Sequence, residues 1–179
     1  VGSGTVLADN PFLTARPSGR EARHQPLRVV LDGRGRTPLS SAVFQLPRAS
    51  TVYTSAASDP GWRDALAAAG VSVVVVPPAA KAGVLFDAAL DDLGARGVVT
   101  AMLEGGAGLL GRALDDGLLD EVWVFIAPVL IGGTAAPGPV AGAGVEFVRD
   151  AARLTEASHV TLGDDVLIRG LLNTPNASG

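Results

Sequence analysis

Apolar residues along the chain come in short runs set off by glycine, proline and acidic residues, and the period of each run predicts an element. Residues 27–31, Leu-Arg-Val-Val-Leu, predict a strand stopped by Asp32-Gly33 and a turn-rich stretch to Pro38. Residues 51–54 predict a second strand. A helix opening at Asp59 or Pro60 follows, with Trp62, Leu66 and Ala69 on one face and Gly70 as its stop. The nearly continuous β-branched run 71–76, closed by Pro77-Pro78, predicts a strand covered on both faces. A helix over 84–93, with Leu85, Ala89 and Leu93 at helical spacing, leads to a strand over 98–103, the turn Glu104-Gly105-Gly106 and a helix to about Leu114. Residues 121–131 alternate and predict a long strand. Residues 154–162 and 166–172 flank Gly163-Asp164 as a closing antiparallel hairpin. Strand–helix–strand repeats ending in antiparallel strands predict an α/β protein with a mixed sheet flanked by helices. No linker, repeat or low-complexity stretch interrupts it, so 1–179 is expected to be a single domain.

Composition narrows the chemistry. With 179 residues, 47% hydrophobic and 18% charged, the chain can bury a core. It has no cysteine, which removes disulfides, thiolate nucleophiles and cysteine-ligated zinc. A net charge of −4, with acids scattered and basic residues unclustered, speaks against nucleic acid as a partner. The basic residues are all arginine except Lys81, which reads as genome composition. The uncharged segment 122–145 is long enough to raise a membrane span, but Pro128, Pro137, Pro139 and its glycines would break such a helix. A soluble, cytoplasmic protein is expected.

Three segments carry candidate chemistry. In Glu104-Gly105-Gly106-Ala107-Gly108-Leu109-Leu110-Gly111 a strand end meets a helix start. Missing side chains let a ligand reach the backbone, and the first helical amides favour a phosphate. Gly106 to Gly111 also spells G-x-G-x-x-G, but no acid ends a following strand where a Rossmann fingerprint needs one, and a purely structural turn stays open. Glu104 is a carboxylate at the carboxyl end of a strand, where open α/β sheets bind ligands; a capping or salt-bridging role is equally open. The opening segment 2–16 reads as a loop offering the Thr5 hydroxyl, the Asp9 carboxylate and the Arg16 guanidinium. His24, His159, Asp91-Asp92 and Asp115-Asp116 read as surface groups, with no metal site. Trp62, Trp123 and Phe125 read as core or interface residues.

The opening Val1-Gly2-Ser3-Gly4-Thr5-Val6-Leu7-Ala8-Asp9-Asn10-Pro11, with Leu13-Thr14-Ala15-Arg16, resembles the riboflavin-biosynthesis reductase domain. That domain is the 5-amino-6-(5-phosphoribosylamino)uracil reductase, of dihydrofolate-reductase-like fold and commonly fused behind a zinc deaminase. Pro26 to Asp32, Leu103 to Ala107, Asp120-Glu121 leading into Ile126 to Gly133, and the tail Gly163-Asp164-Asp165-Val166 agree in order and spacing. The resemblance implies that Thr5 and Asp9 contact NADPH, and that Gly105, Gly106, Ala107, Gly108 and Leu109 hold its phosphates. It implies that Leu13 and Arg16 contact the substrate, Arg16 at the ribose phosphate, and that Glu104 binds beside the reacting sugar carbon. Asp32 is placed, more loosely, near the adenosine side.

The implied reaction is hydride transfer to C1′ of the ribosylamino group, giving the ribitylamino product. Such chemistry belongs to the cofactor, and needs no cysteine, metal or triad from the protein. The resemblance further implies a homodimer and an additional strand and helix ahead of position 1. No His-x-Glu or Pro-Cys-x-x-Cys segment of a deaminase is present. Two other readings stay open. One is an NADPH reductase of the same fold acting on a pterin such as dihydrofolate; the other is a non-catalytic binding or dimerisation module.

Overall fold

A computed structural model describes residues 1–45, 49–77, 84–136 and 138–172. Pro78, Lys81 and Pro137 lie outside these. The chain divides into two compact units, Val1–Gly106 and Ala107–Gly179.

The first unit is built on a parallel sheet of β1 (Arg28–Leu31), β2 (Ser50–Ser55) and β3 (Ser72–Val76) in that order. Strand alternation sends successive side chains to opposite faces, and each face has its own core. Val30 and Val52 pack with Val1, Val6, Val43, Phe44, Leu66 and Val71 on one side. Val29, Leu31, Tyr53, Val74 and Val76 pack with Ala89 and Leu93 on the other. The two faces are covered by helices α1 (Ser3–Asp9) and α2 (Pro60–Ala68) on the first side and α3 (Val84–Ala95) on the second. The double coverage expected of 71–76 holds at Val73, Val74 and Val76; Val75 is exposed because β3 is the sheet's edge.

Helix α2 starts where the sequence places it. The Asp59 carboxylate accepts the Trp62 amide at 2.8 Å, and Pro60 supplies a preset φ at the first helical position. Trp62 packs on the first core and donates its indole N–H to the Thr37 carbonyl at 2.8 Å. The turn after β1 is organised by Asp32. Its buried carboxylate accepts the Thr37 amide and hydroxyl, both at 2.7 Å, and the Arg34 amide at 3.4 Å.

Two expectations fail in this unit. The opening segment is not a loop throughout: residues 3–9 form α1, because Val6 drops into the first core and pulls a small-residue stretch into helix. Ahead of it Gly2 bridges Leu31 in parallel, and the Leu31 amide donates to the Val1 carbonyl at 2.9 Å. Residues 98–103 do not form a strand. Val99 and Met102 are exposed, and a β-prone run without a neighbouring strand has no ladder to join.

The second unit holds α4 (Ala107–Asp115) and an antiparallel sheet in the order β4 (Glu121–Ile126), β6 (Asp165–Leu172), β5 (Leu154–Leu162). The expected hairpin is β5–β6, turning at Gly163-Asp164 and interrupted by a bulge between Thr155 and Ser158. β4 ends at Ile126 instead of Ile131, since Pro128 supplies no amide to a ladder. No described helix is long and apolar enough to cross a membrane. Helix α4 meets the irregular segment that follows β4: the Ala141 amide donates to the Ala107 carbonyl at 3.0 Å, and a Cβ at Gly111 would stand 2.0 Å from the Ala141 oxygen. The Asp115 carboxylate accepts the Ala143 amide at 2.7 Å, so it braces a loop and is not merely a solvated helix end.

Candidate functional site

The strongest convergence lies in the first unit, between α1 and the glycine turn. Gly105 and Gly106 both have positive φ, +58° and +78°, a conformation that residues with a Cβ rarely adopt. Thr5 packs directly against them. A Cβ on Gly106 would lie 2.9 Å from Thr5 Oγ1, and one on Gly105 would lie 3.2 Å from Thr5 Cγ2. The Thr5 hydroxyl is buried and has no hydrogen-bond partner. Leaving a buried polar group unpaired costs about 1–3 kcal/mol, so such groups ask for a reason. Here a bare backbone turn and an unspent hydroxyl face each other.

Asp9 stands four residues after Thr5 on α1, on the same helical face, and is exposed. Asn10 ends the helix in the left-handed region and its side-chain oxygen accepts the Ala42 amide at 2.8 Å, which fixes where the chain goes next. Leu13 also has positive φ, +51°, and packs against the first core. A branched residue held there is strained, which is common at binding loops. The Thr14 hydroxyl is a second buried group without a partner. Arg16 is exposed, and its side chain pairs with nothing among the described residues.

Glu104 is exposed and lies within electrostatic reach of Val1. Burial pushes the Val1 amino group below its usual range, and the Glu104 carboxylate pulls in the opposite direction. In the second unit, Ala107, Gly108 and Leu109 form the first turn of α4, with Gly108 exposed. Asp32 is committed to its own turn. Burial pushes its carboxyl up, but the Thr37 hydroxyl and the Arg36, Thr37 and Arg34 amides outweigh this and hold it below the ordinary range.

Thr5 thus meets Gly105 and Gly106 as contacts, with Asp9 one turn along the same helix. Two groups escape a reading of the sequence. Thr14 gives no signal beyond its place in the motif. Gln25, in a polar stretch without pattern, clasps the loop carrying Arg16 through three side-chain hydrogen bonds.

A parallel sheet with helices on both faces, an antiparallel terminal hairpin and a glycine turn define an α/β protein of dihydrofolate-reductase-like fold. Residues 1–168 match the model of the RibD C-terminal domain, and the chain belongs to that family. It is 34% identical over 172 residues to the riboflavin biosynthesis protein RibD of Bacillus amyloliquefaciens, covering 96% of this chain and 45% of that protein. It is 38% identical over 168 residues to the 2,5-diamino-6-ribosylamino-4(3H)-pyrimidinone 5′-phosphate reductase of Methanothermobacter thermautotrophicus, covering 94% of this chain and 76% of the relative. Among solved structures, Acinetobacter baumannii RibD superposes with a TM-score of 0.79 at 28% identity, over 96% of this chain and 46% of that one. The chain therefore spans about half the length of the RibD proteins it matches.

Proposed function

We propose that this chain performs the reductase step of riboflavin biosynthesis, reducing 5-amino-6-(5-phosphoribosylamino)uracil with NADPH. The observation that carries the reading is the buried, unpartnered Thr5 hydroxyl set against the Gly105-Gly106 turn. A nucleotide cofactor has the polar edges and phosphate oxygens that such a hydroxyl and exposed backbone amides satisfy. The likeness to a reductase of which the chain covers three-quarters supports the same reading.

In this reading Thr5, Asp9, Gly105 and Gly106 hold the cofactor. When bound, NADPH supplies the hydride that C1′ of the ring-opened ribosylamino group takes up, while the adjacent nitrogen gains a proton. Leu13 shapes the substrate side and Arg16 binds the ribose phosphate, a dianion suited to a planar guanidinium fork. Glu104 stabilises the cationic character that the C1′–N unit carries before reduction.

The test is NADPH oxidation at 340 nm with the phosphoribosylaminouracil, beside dihydrofolate as the competing substrate. We expect turnover with the first alone, and a fall of about 10²-fold or more in kcat for Glu104→Gln with little change in NADPH affinity. Full turnover by Glu104→Gln removes Glu104 from the chemistry; turnover of dihydrofolate instead would shift the substrate class. A homodimer belongs to the same proposal, and a solution mass equal to the 18.0 kDa monomer would refute it.

A further inference from the structure

The segment after Leu13 carries a closed loop whose fastening is not part of any role assigned above. The Ala22 amide donates to the Ala15 carbonyl at 2.9 Å, joining the loop's two ends. The Gln25 side chain then spans both. Its Oε1 accepts the Ala15 amide at 2.8 Å, and its Nε2 donates to the Ala15 carbonyl at 3.0 Å and to the Ala22 carbonyl at 2.8 Å. Within the loop the Gly19 amide donates to the Arg16 carbonyl at 3.1 Å.

The effect on Arg16 is specific. Both backbone polar groups of its predecessor are bound by one side-chain amide, its own carbonyl is occupied, and Pro17 follows with a fixed φ. Its guanidinium has no partner among the described residues. A fixed backbone carrying an unspent cation is preorganised for an anion, because the ordering entropy is met on folding and not on binding. A primary amide suits this position because it accepts from an N–H and donates to carbonyls at once, which neither a carboxylate nor an ammonium can do.

We propose that Gln25 is a positioning residue for substrate binding, acting through Arg16 on the phosphate of the phosphoribosylaminopyrimidine. The proposal rests on the reductase reading above, in which Arg16 meets that phosphate. Gln25 itself touches no ligand. Loss of the clasp leaves the guanidinium present but its origin loose, so substrate affinity falls while hydride transfer and cofactor binding do not.

The experiment compares the full chain with Gln25→Ala, Gln25→Glu, Arg16→Ala and the double variant Arg16→Ala/Gln25→Ala. Substrate KM, kcat and NADPH Kd are measured, with ribose 5-phosphate affinity by calorimetry and hydrogen exchange of the Ala15 amide. Gln25→Ala should raise substrate KM and weaken ribose 5-phosphate binding about tenfold, with kcat and NADPH Kd within about twofold of wild type. Ala15 exchange should speed up. Gln25→Glu keeps the acceptor but sets a carboxylate oxygen against the Ala15 and Ala22 carbonyls, so it should not restore wild-type KM, and a wild-type KM in this variant would overturn the proposal. In the double variant the effect of Gln25→Ala should vanish, since no guanidinium remains to be positioned. Unchanged KM in Gln25→Ala, or a full additional loss on top of Arg16→Ala, overturns the proposal. If Arg16→Ala alone binds substrate like wild type, the assignment of Arg16 to the phosphate falls and the role of Gln25 falls with it. Absence of any ribose 5-phosphate or substrate binding by the wild-type chain overturns both.

Discussion

Gly106→Ala is the sharpest probe of the site. The substitution adds one methyl group at a residue whose φ is +78°. An L-residue there costs about 1–2 kcal/mol in backbone strain alone. The new Cβ would also stand 2.9 Å from Thr5 Oγ1, closer than real Cβ atoms come to such an atom. Thr5 sits on a helix that packs Val6 into the first core, so it yields only in part, and about 1 kcal/mol more is expected. The total is about 2–3 kcal/mol. Urea unfolding, with the midpoint read at constant slope, measures this loss directly. Fluorescence titration with NADPH measures the second effect, a weakening of about tenfold or more as the methyl fills the space over the turn. Thr5→Ala placed on Gly106→Ala should recover about 1 kcal/mol of stability, the steric part, and no cofactor affinity. A Gly106→Ala protein with wild-type midpoint and wild-type NADPH affinity would refute the reasoning. So would a double variant no more stable than the single, which would show that Thr5 is not what the methyl meets.

Other outcomes follow from groups outside the turn. Burial, and then the hydrogen bond and charge of Asp92, push the Tyr53 hydroxyl up to about 12. The folded state keeps that proton longer than the unfolded chain, so stability present below about pH 10 is lost as pH rises towards 12. The rise from the ordinary value to about 12 bounds the loss at about 2.7 kcal/mol, and because Asp92 is itself ion-paired to a partly exposed Arg96, solvent screening lowers this to about 1–2 kcal/mol. Unfolding at about pH 9 and about pH 11.5 should show it, and Tyr53→Phe should flatten the difference. Asp32, held below the ordinary carboxylate range, contributes stability that is present above about pH 4 and is lost as pH falls through its folded value. Asp32→Asn should remove that part of the acid transition and lower stability at about pH 7 by about 1–3 kcal/mol, read from urea midpoints. Gly111→Ala should unfold the second unit or displace segment 141–144, because the obstacle is backbone at 2.0 Å; an unchanged amide spectrum at Ala141 and Gly142 would contradict this.

Elements with strong local signals are legible in the sequence. The Asp59-Pro60 start of α2, the short apolar run of β1 stopped at Asp32-Gly33 and the turn between β5 and β6 each rest on one dominant local preference. Residues 98–103 mislead because β-propensity describes fit to a neighbour, and among the described residues no strand pairs with this run. Residues 3–9 mislead because Ser3, Gly4 and Thr5 are weak helix formers, and it is the burial of Val6 that decides. At the site, the glycine turn can be seen in one dimension and the Thr5 contact cannot, since about a hundred residues separate its two sides. Gln25 escapes for the same reason that makes it effective: a single neutral amide carries no periodicity and no charge, only three bonds visible once the loop has closed.

The two tryptophans fall one to each compact unit. Trp62 is lodged on the first core with its N–H bonded to Thr37, while Trp123 lies half-exposed on β4, bonded to Glu121 and under the Arg169 guanidinium. Each unit therefore carries its own optical reporter, with distinct surroundings and distinct expected emission. Replacing either by phenylalanine would let the remaining indole follow its own half of the chain through a melt. Coincident curves would mean one cooperative transition, separate curves two, and the number of independently folding pieces could be counted from intensity alone.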